Sequence, residues 1–181
     1  MKLEYIIKIN DNYKTVNDVL NLEFSVSARL RLRLIRQNRV CLNGIVCDTR
    51  NSVVFGDKIY VNLDFEEESS NIVPTEMKLN IIYEDEWLLV LNKPAGIAVH
   101  PSMLHYENSL SNGVKFYFAS IGLKKKIRPV NRLDRNTSGL VVFAKCEYIQ
   151  ECLSNQMTNG QFKKEYLALV SGKFDKLKRN Y

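Results

Sequence analysis

Hydrophobic positions in the first third of the chain come in short runs whose period keeps changing. Thr15 is followed by Val16, Val19 and Leu20 at helical spacing, with Asp18 three residues after the threonine, the pattern of a capped helix start. From Arg29 to Leu34, Arg and Leu alternate, a spacing that fits a strand as well as a helix. Ser27 as an N-cap, and Leu30 and Leu34 four residues apart, favour the helix. Val40–Leu42 reads as a strand turning at Asn43-Gly44, a hairpin dipeptide because both residues tolerate positive φ. A second turn at Gly56-Asp57 leads into the strand Lys58-Ile-Tyr-Val61.

Later the apolar runs lengthen. Leu79-Asn-Ile-Ile-Tyr83 and Trp87-Leu-Leu-Val-Leu91 are split by Glu84-Asp85-Glu86, a hairpin-like arrangement ended by Asn92-Lys-Pro-Ala-Gly96. Residues 115–121, K-F-Y-F-A-S-I, are aromatic-rich and expected mostly in the core, and Lys124-Lys-Lys126 reads as a loop. Gly139-Leu-Val-Val-Phe-Ala144 is a short apolar run of the kind buried on both faces. A polar interval rich in Gln and Asn starts as a helix, and Lys164–Val170 is expected to close as a strand. Strands with intervening helices predict an α+β fold.

One change of composition divides these two regions. Residues 64–70, D-F-E-E-E-S-S, place Asp64, Glu66, Glu67 and Glu68 beside two serines, with Pro74 following. This reads as a solvated acidic linker. The chain is thus expected to hold a small domain over 1–63, a linker over 64–76 and a second domain over 77–181.

The 181 residues carry a formal net charge of +6, which favours an anionic partner. Arg29, Arg31, Arg33, Arg36 and Arg39 fall close together, and no Asp or Glu is interspersed from Ser27 to Gly44. Guanidinium groups suit phosphate through paired hydrogen bonds, so nucleic acid is the expected partner. The four Cys stand at 41, 47, 146 and 152, far from His100 and His105 and without a C-x-x-C, so no metal site is expected. Scattered thiols, and an N-terminus whose apolar stretch is interrupted by Glu4 and Lys8, point to a reducing, cytoplasmic setting. No run approaches the roughly 20 apolar residues of a membrane span.

The order helix, S-x-R…L-I-R-Q-N-R-V-C-L-N-G, then G-D-K-I-Y-V resembles the S4-type RNA-binding domain over roughly residues 13–63. The resemblance implies phosphate contacts from Arg29, Arg33, Arg36 and Arg39, which position a protein on RNA more than they read sequence.

The densest chemistry lies at Arg128–Lys145, R-P-V-N-R-L-D-R-N-T-S-G-L-V-V-F-A-K, where Asp134 stands between Arg132 and Arg135 just before an apolar strand. A plain turn aspartate held by its arginines is one reading. The other is a stiffly held, partly desolvated carboxylate suited to covalent chemistry on an RNA nucleotide. No Ser/His/Asp set or phosphate-binding glycine loop competes with it.

N-R-L-D-R-N-T-S-G-L resembles the central motif of the RluA-type RNA pseudouridine synthases. Tyr83–Pro101 resembles their first motif, and K-E-Y-L-A-L-V-S-G their third. The resemblance implies a mixed, largely antiparallel synthase domain behind the S4-type module, and isomerisation of a uridine to pseudouridine without metal or cofactor. Asp134 would be the catalytic residue acting on a flipped-out uridine, whether by attacking the ribose or by removing a proton from it. Arg132 would fill the space left by the flipped base, and Tyr166 would stack on the uracil. The strand face that carries Tyr166 with Ala168 and Val170 could equally be core. Asn131 stands where the family usually has histidine.

Family members continue past the third motif and supply an arginine that pairs with the catalytic aspartate. On this resemblance the chain is expected to be the N-terminal part of a synthase. Ribosomal RNA, of the large subunit, is expected over transfer RNA as substrate. A non-catalytic RNA-binding protein with a degenerate or incomplete synthase domain is the alternative.

Overall fold

The computed structural model describes residues 1–67, 71–102 and 106–172. The segments expected at Glu68–Ser70, His105 and 173–181 lie outside the described residues.

In the N-terminal half, β1 (Lys2–Ile6), β2 (Val40–Leu42), β3 (Ile45–Val46) and β4 (Lys58–Asn62) form one antiparallel sheet in the order β1-β4-β2-β3. Helix α1 (Val16–Asp18) starts at a full capping box: Thr15 accepts from the Asp18 amide, and the Asp18 carboxylate accepts from the Thr15 amide. It runs on into a π-helical turn, Val19–Glu23. Helix α2 (Ala28–Arg36) starts at Ser27, whose hydroxyl accepts from the Leu30 amide. Asn43 and Gly44, with φ of 52° and 83°, make the β2–β3 hairpin.

The Arg/Leu alternation resolves by helical geometry. Leu30 and Leu34 point inward with Val16, Leu20, Val40, Ile59 and Val61, all essentially solvent-free, and the arginines are left on the other faces.

The second half holds an antiparallel sheet, β5-β6-β7, from β5 (Ile81–Glu84), β6 (Leu88–Lys93) and β7 (Gly139–Ala144). Helix α3 (Leu110–Ser120) covers it, burying Leu110, Val114 and Phe118 against Leu89, Leu91, Val141 and Phe143. The aromatic stretch 115–121 is therefore helical, with Phe118 inside, Phe116 exposed and the Tyr117 hydroxyl donating to Glu84. Helix α4 (Glu147–Thr158) follows β7 directly.

Two expectations are corrected. Residues 164–170 form no strand; Leu167 and Leu169 are fully exposed. An apolar alternation becomes a strand only where an edge offers hydrogen-bond partners, and none pairs with it among the described residues. The acidic segment, over its described part 64–67, is only half solvated: Asp64 and Glu66 are exposed, while Phe65 and Glu67 are packed against the fold. Asp64 pairs with Lys125 at 2.8 Å, Glu66 with Lys124 at 3.2 Å, and Glu67 with Arg128 at 2.7 Å. Phe65 lies under the guanidinium of Arg33, 4.4 Å from its ring centre. Val73 is held as well, since the buried Asn112 side chain donates to Val73 O and Tyr106 O.

Candidate active site and nucleic-acid interface

Strand β6 buries alternate residues, so the face that carries Leu89 and Leu91 also carries Lys93, which is fully enclosed. An ammonium in that position must find acceptors. It donates to Pro94 O and Ile97 O at 2.9 Å and to Arg135 O at 3.0 Å. The first two bonds curl the Pro94–Ile97 turn around the ammonium; the third ties that turn to the Asp134 loop. Arg135 doubles the tie, since Gly96 N donates to Arg135 O and Arg135 Nε donates to Gly96 O, both at 2.8 Å. Gly96 has φ of 95°, which a side chain would strain. Burial pushes the Lys93 ammonium below the usual lysine range, and the Asp134 carboxylate opposes that shift through its charge.

The loop is also fastened at its two ends. Val130 N donates to Val142 O, and Ala144 N donates to Arg128 O, so residues 128–130 run antiparallel beside β7. Asn131 extends this pairing with its side chain: Nδ2 donates to Leu140 O at 3.0 Å, and Oδ1 accepts from Val142 N at 2.9 Å. The carboxamide thus acts as one more peptide unit on the strand edge. At the exit, Gly139 (φ 131°) pairs across the sheet with Lys93. Thr137 N closes a turn on Asp134 O.

Asp134 itself is exposed, as is Arg132. The expected desolvation of the carboxylate is not seen; the enclosed charge that feels it is the Lys93 ammonium. Tyr166, 63% exposed, lines a cleft of about 930 Å³ with Asn131, Leu133, Thr137 and Leu140. The structure therefore brings Tyr166 to the foot of the loop, while Asp134 is not part of that cleft's lining.

The arginines of the first half separate into two groups. Arg29 and Arg36 are exposed, and no carboxylate among the described residues pairs with them. Arg33 is engaged: Nη1 pairs with Glu147 at 2.8 Å and its plane stacks on Phe65. Arg39 donates to Asp64 O. Arg33 in this arrangement is an inter-element tie rather than a free phosphate ligand.

Two participants were not singled out as site residues in the sequence. Lys93 carries a usable signal, a lysine in phase with Leu89 and Leu91 on a buried face. The Glu67–Arg128 pair carries none, because partners 61 residues apart in the chain leave no local pattern. Among the described residues no cluster of three or more His, Cys, Asp or Glu could hold a metal, and no helix is long and apolar enough to cross a membrane.

These features coincide with a family match. The profile of the RNA pseudouridylate synthase family matches residues 87–180, from the start of β6 through the loop and beyond. The chain belongs to that family. It is 37% identical over 118 residues to an uncharacterised RNA pseudouridine synthase, YhcT, of Bacillus subtilis, covering 65% of this chain and 39% of that protein. It is 33% identical over 139 residues to ribosomal large subunit pseudouridine synthase D of Escherichia coli K12, covering 76% of this chain and 42% of that one. The chain therefore spans less than half the length of these relatives. The solved structure of human RNA pseudouridylate synthase domain containing 4 overlaps 45% of this chain and 30% of its own at 24% identity, with a TM-score of 0.38.

Proposed function

We propose that the protein isomerises a uridine to pseudouridine in structured RNA, with Asp134 as the catalytic carboxylate and neither metal nor cofactor. The observation that carries this is the immobilised loop: residues 131–139 are pinned at Asn131, Gly96 and Lys93, yet present Asp134 outward. Pre-organisation of this kind is what a covalent or proton-transfer step on a flipped nucleotide needs. Arg132, exposed beside the carboxylate, would occupy the gap left in the RNA, and Tyr166 would stack on the uracil.

The N-terminal half is read as an S4-type RNA-binding module, supported by α2 and by Arg29 and Arg36, which are exposed and pair with no carboxylate among the described residues. Ribosomal RNA of the large subunit is the proposed substrate class, on the strength of the relatives that carry that name. Isomerisation moves the base linkage from nitrogen to C5 and releases the C5 hydrogen. RNA tritiated at uridine C5, incubated with the protein as its gene encodes it, should lose tritium to water. No release above background, from RNAs of either class, would overturn the proposal.

The exposed Asp134, and segment 164–170, which pairs with no strand among the described residues, favour a second reading, a protein that binds RNA through the same surface without turnover. Tight RNA binding with no tritium release is its signature.

A further inference from the structure

Arg33 and Arg128 approach one carboxylate from different parts of the fold. Arg128 grips Glu67 with both terminal nitrogens, at 2.8 and 2.7 Å, while Arg33 Nη2 stands 3.8 Å from the same carboxylate. Arg33 is left incomplete by this arrangement. Its Nη1 is bound to Glu147, but Nε and Nη2 are buried without a hydrogen-bond partner. Those two nitrogens form the side-on fork that a guanidinium offers to a phosphate or carboxylate. A buried fork that reaches its anion only at ion-pair distance, with no hydrogen bond formed among the described residues, is costly and calls for a better-fitting occupant. Glu67 is already committed in bidentate fashion to Arg128, and the strap that carries it seals the fork from solvent.

We propose that Arg33 and Arg128 form a phosphate-binding site of which Glu67 is the resident surrogate, and that a backbone phosphate of bound RNA exchanges with it. This rests on the RNA-binding reading above and adds a specific site to it. A carboxylate presents two acceptor oxygens and one charge. A phosphate in its place would offer enough oxygens to satisfy both guanidinium groups at once. Phe65, stacked under Arg33 and 5.8 Å from Arg39, keeps the Arg33 plane oriented while the anion changes. The strap's other carboxylates, on Asp64 and Glu66, are more exposed than Glu67, so displacement would begin from a partly solvated segment.

Glu67→Gln removes the competing charge and keeps one oxygen for Arg128. Binding of a fluorescent uridine-containing RNA hairpin to the full chain should tighten at least threefold. Log affinity against log salt should steepen by about 0.7–0.9, the increment for one further phosphate neutralised. Adding Arg33→Lys, which keeps a cation for Glu147 but lacks the fork, should cancel both gains. Inorganic phosphate is the second probe: it should raise the melting temperature of Glu67→Gln and leave the wild type unmoved.

Unchanged RNA affinity and slope in Glu67→Gln would overturn the site while the RNA reading stands. If neither protein binds the hairpin but Glu67→Gln still responds to phosphate, the RNA reading fails and the anion site is upheld. Should Glu67→Gln not fold, Arg33→Lys alone decides. It should weaken wild-type hairpin binding at least threefold with little change of slope, because Glu67 is freed as the phosphate enters, and unchanged affinity overturns the proposal.

Discussion

Lys93→Met isolates what the buried ammonium does. Methionine keeps the unbranched side chain and roughly the volume, and removes the charge with its three bonds to Pro94 O, Ile97 O and Arg135 O. Hydrogen bonds to a charged group contribute about 1.5–3 kcal/mol each, so roughly 4.5–9 kcal/mol of favourable interaction is removed. Against this, the variant no longer buries an ion, which relieves a penalty of several kcal/mol. The net destabilisation expected is about 1–4 kcal/mol, read from the urea midpoint. Global stability alone is ambiguous, because an apolar side chain can replace a buried charge at small cost.

The loop gives the sharper signal. Arg135 O keeps its bond from Gly96 N, but the ammonium that fixes both the Arg135 carbonyl and the turn is gone. Hydrogen exchange at the Gly96 and Thr137 amides should accelerate at least tenfold, more than at the Val142 amide within β7. Unchanged protection at Gly96 and Thr137 would rule out Lys93 as the group that holds the Asp134 loop, whatever happens to the midpoint.

Other perturbations separate the remaining roles. Asn131→Leu deletes the side-chain pairing to Leu140 O and Val142 N; it should cost about 2–4 kcal/mol, with faster exchange at Val142, and Asn131→Gln should not restore the pairing. Arg29→Ala combined with Arg36→Ala should weaken RNA binding and flatten the salt slope by about 0.7–0.9 for each phosphate no longer neutralised. The melting temperature should stay unchanged, since neither guanidinium pairs with a carboxylate among the described residues. Burial pushes the Cys47 thiol up to about 11 and raises that of the enclosed Cys146. The thiolate is the reactive form, so iodoacetamide at pH 8 should alkylate both at least tenfold more slowly in the native protein than in urea.

Locally encoded features were legible in the sequence. The Thr15 and Ser27 caps, the Asn43-Gly44 hairpin and strands β4, β6 and β7 depend on neighbours within a few residues, and the structure has them all. The Arg/Leu run was ambiguous by period and was decided by its cap. Helix α3 is not legible in the sequence because Phe116, Tyr117 and Phe118 in succession hide its period, so that the stretch reads only as core; the Ser109–Asn112 capping box, outside that aromatic stretch, starts it. The acidic segment is legible only in part, for a physical reason. Asp64 and Glu66 are solvated as carboxylates beside serines should be, but the burial of Glu67 depends on Arg128, a cation that meets it only once the chain is folded. For the same reason, the role of Asn131 as a backbone mimic could not be read from composition. An asparagine before a loop signals a turn or a ligand, and its pairing with β7 is set by tertiary register. The opposite error at 164–170 came from strand-like alternation without a partner.

Whether Asp134 is the catalytic group is tested most directly by Asp134→Asn, assayed for turnover and RNA binding on the same preparation of the gene's full product. The substitution keeps the shape and removes the charge, and the backbone bond from Thr137 N to residue 134 O does not depend on the side chain. Pseudouridine formation should vanish while hairpin affinity and melting temperature stay at wild-type values. Turnover within tenfold of wild type, a deficit of at most about 1.4 kcal/mol of transition-state stabilisation, would be incompatible with catalysis by this carboxylate and return Asp134 to the role of a turn residue.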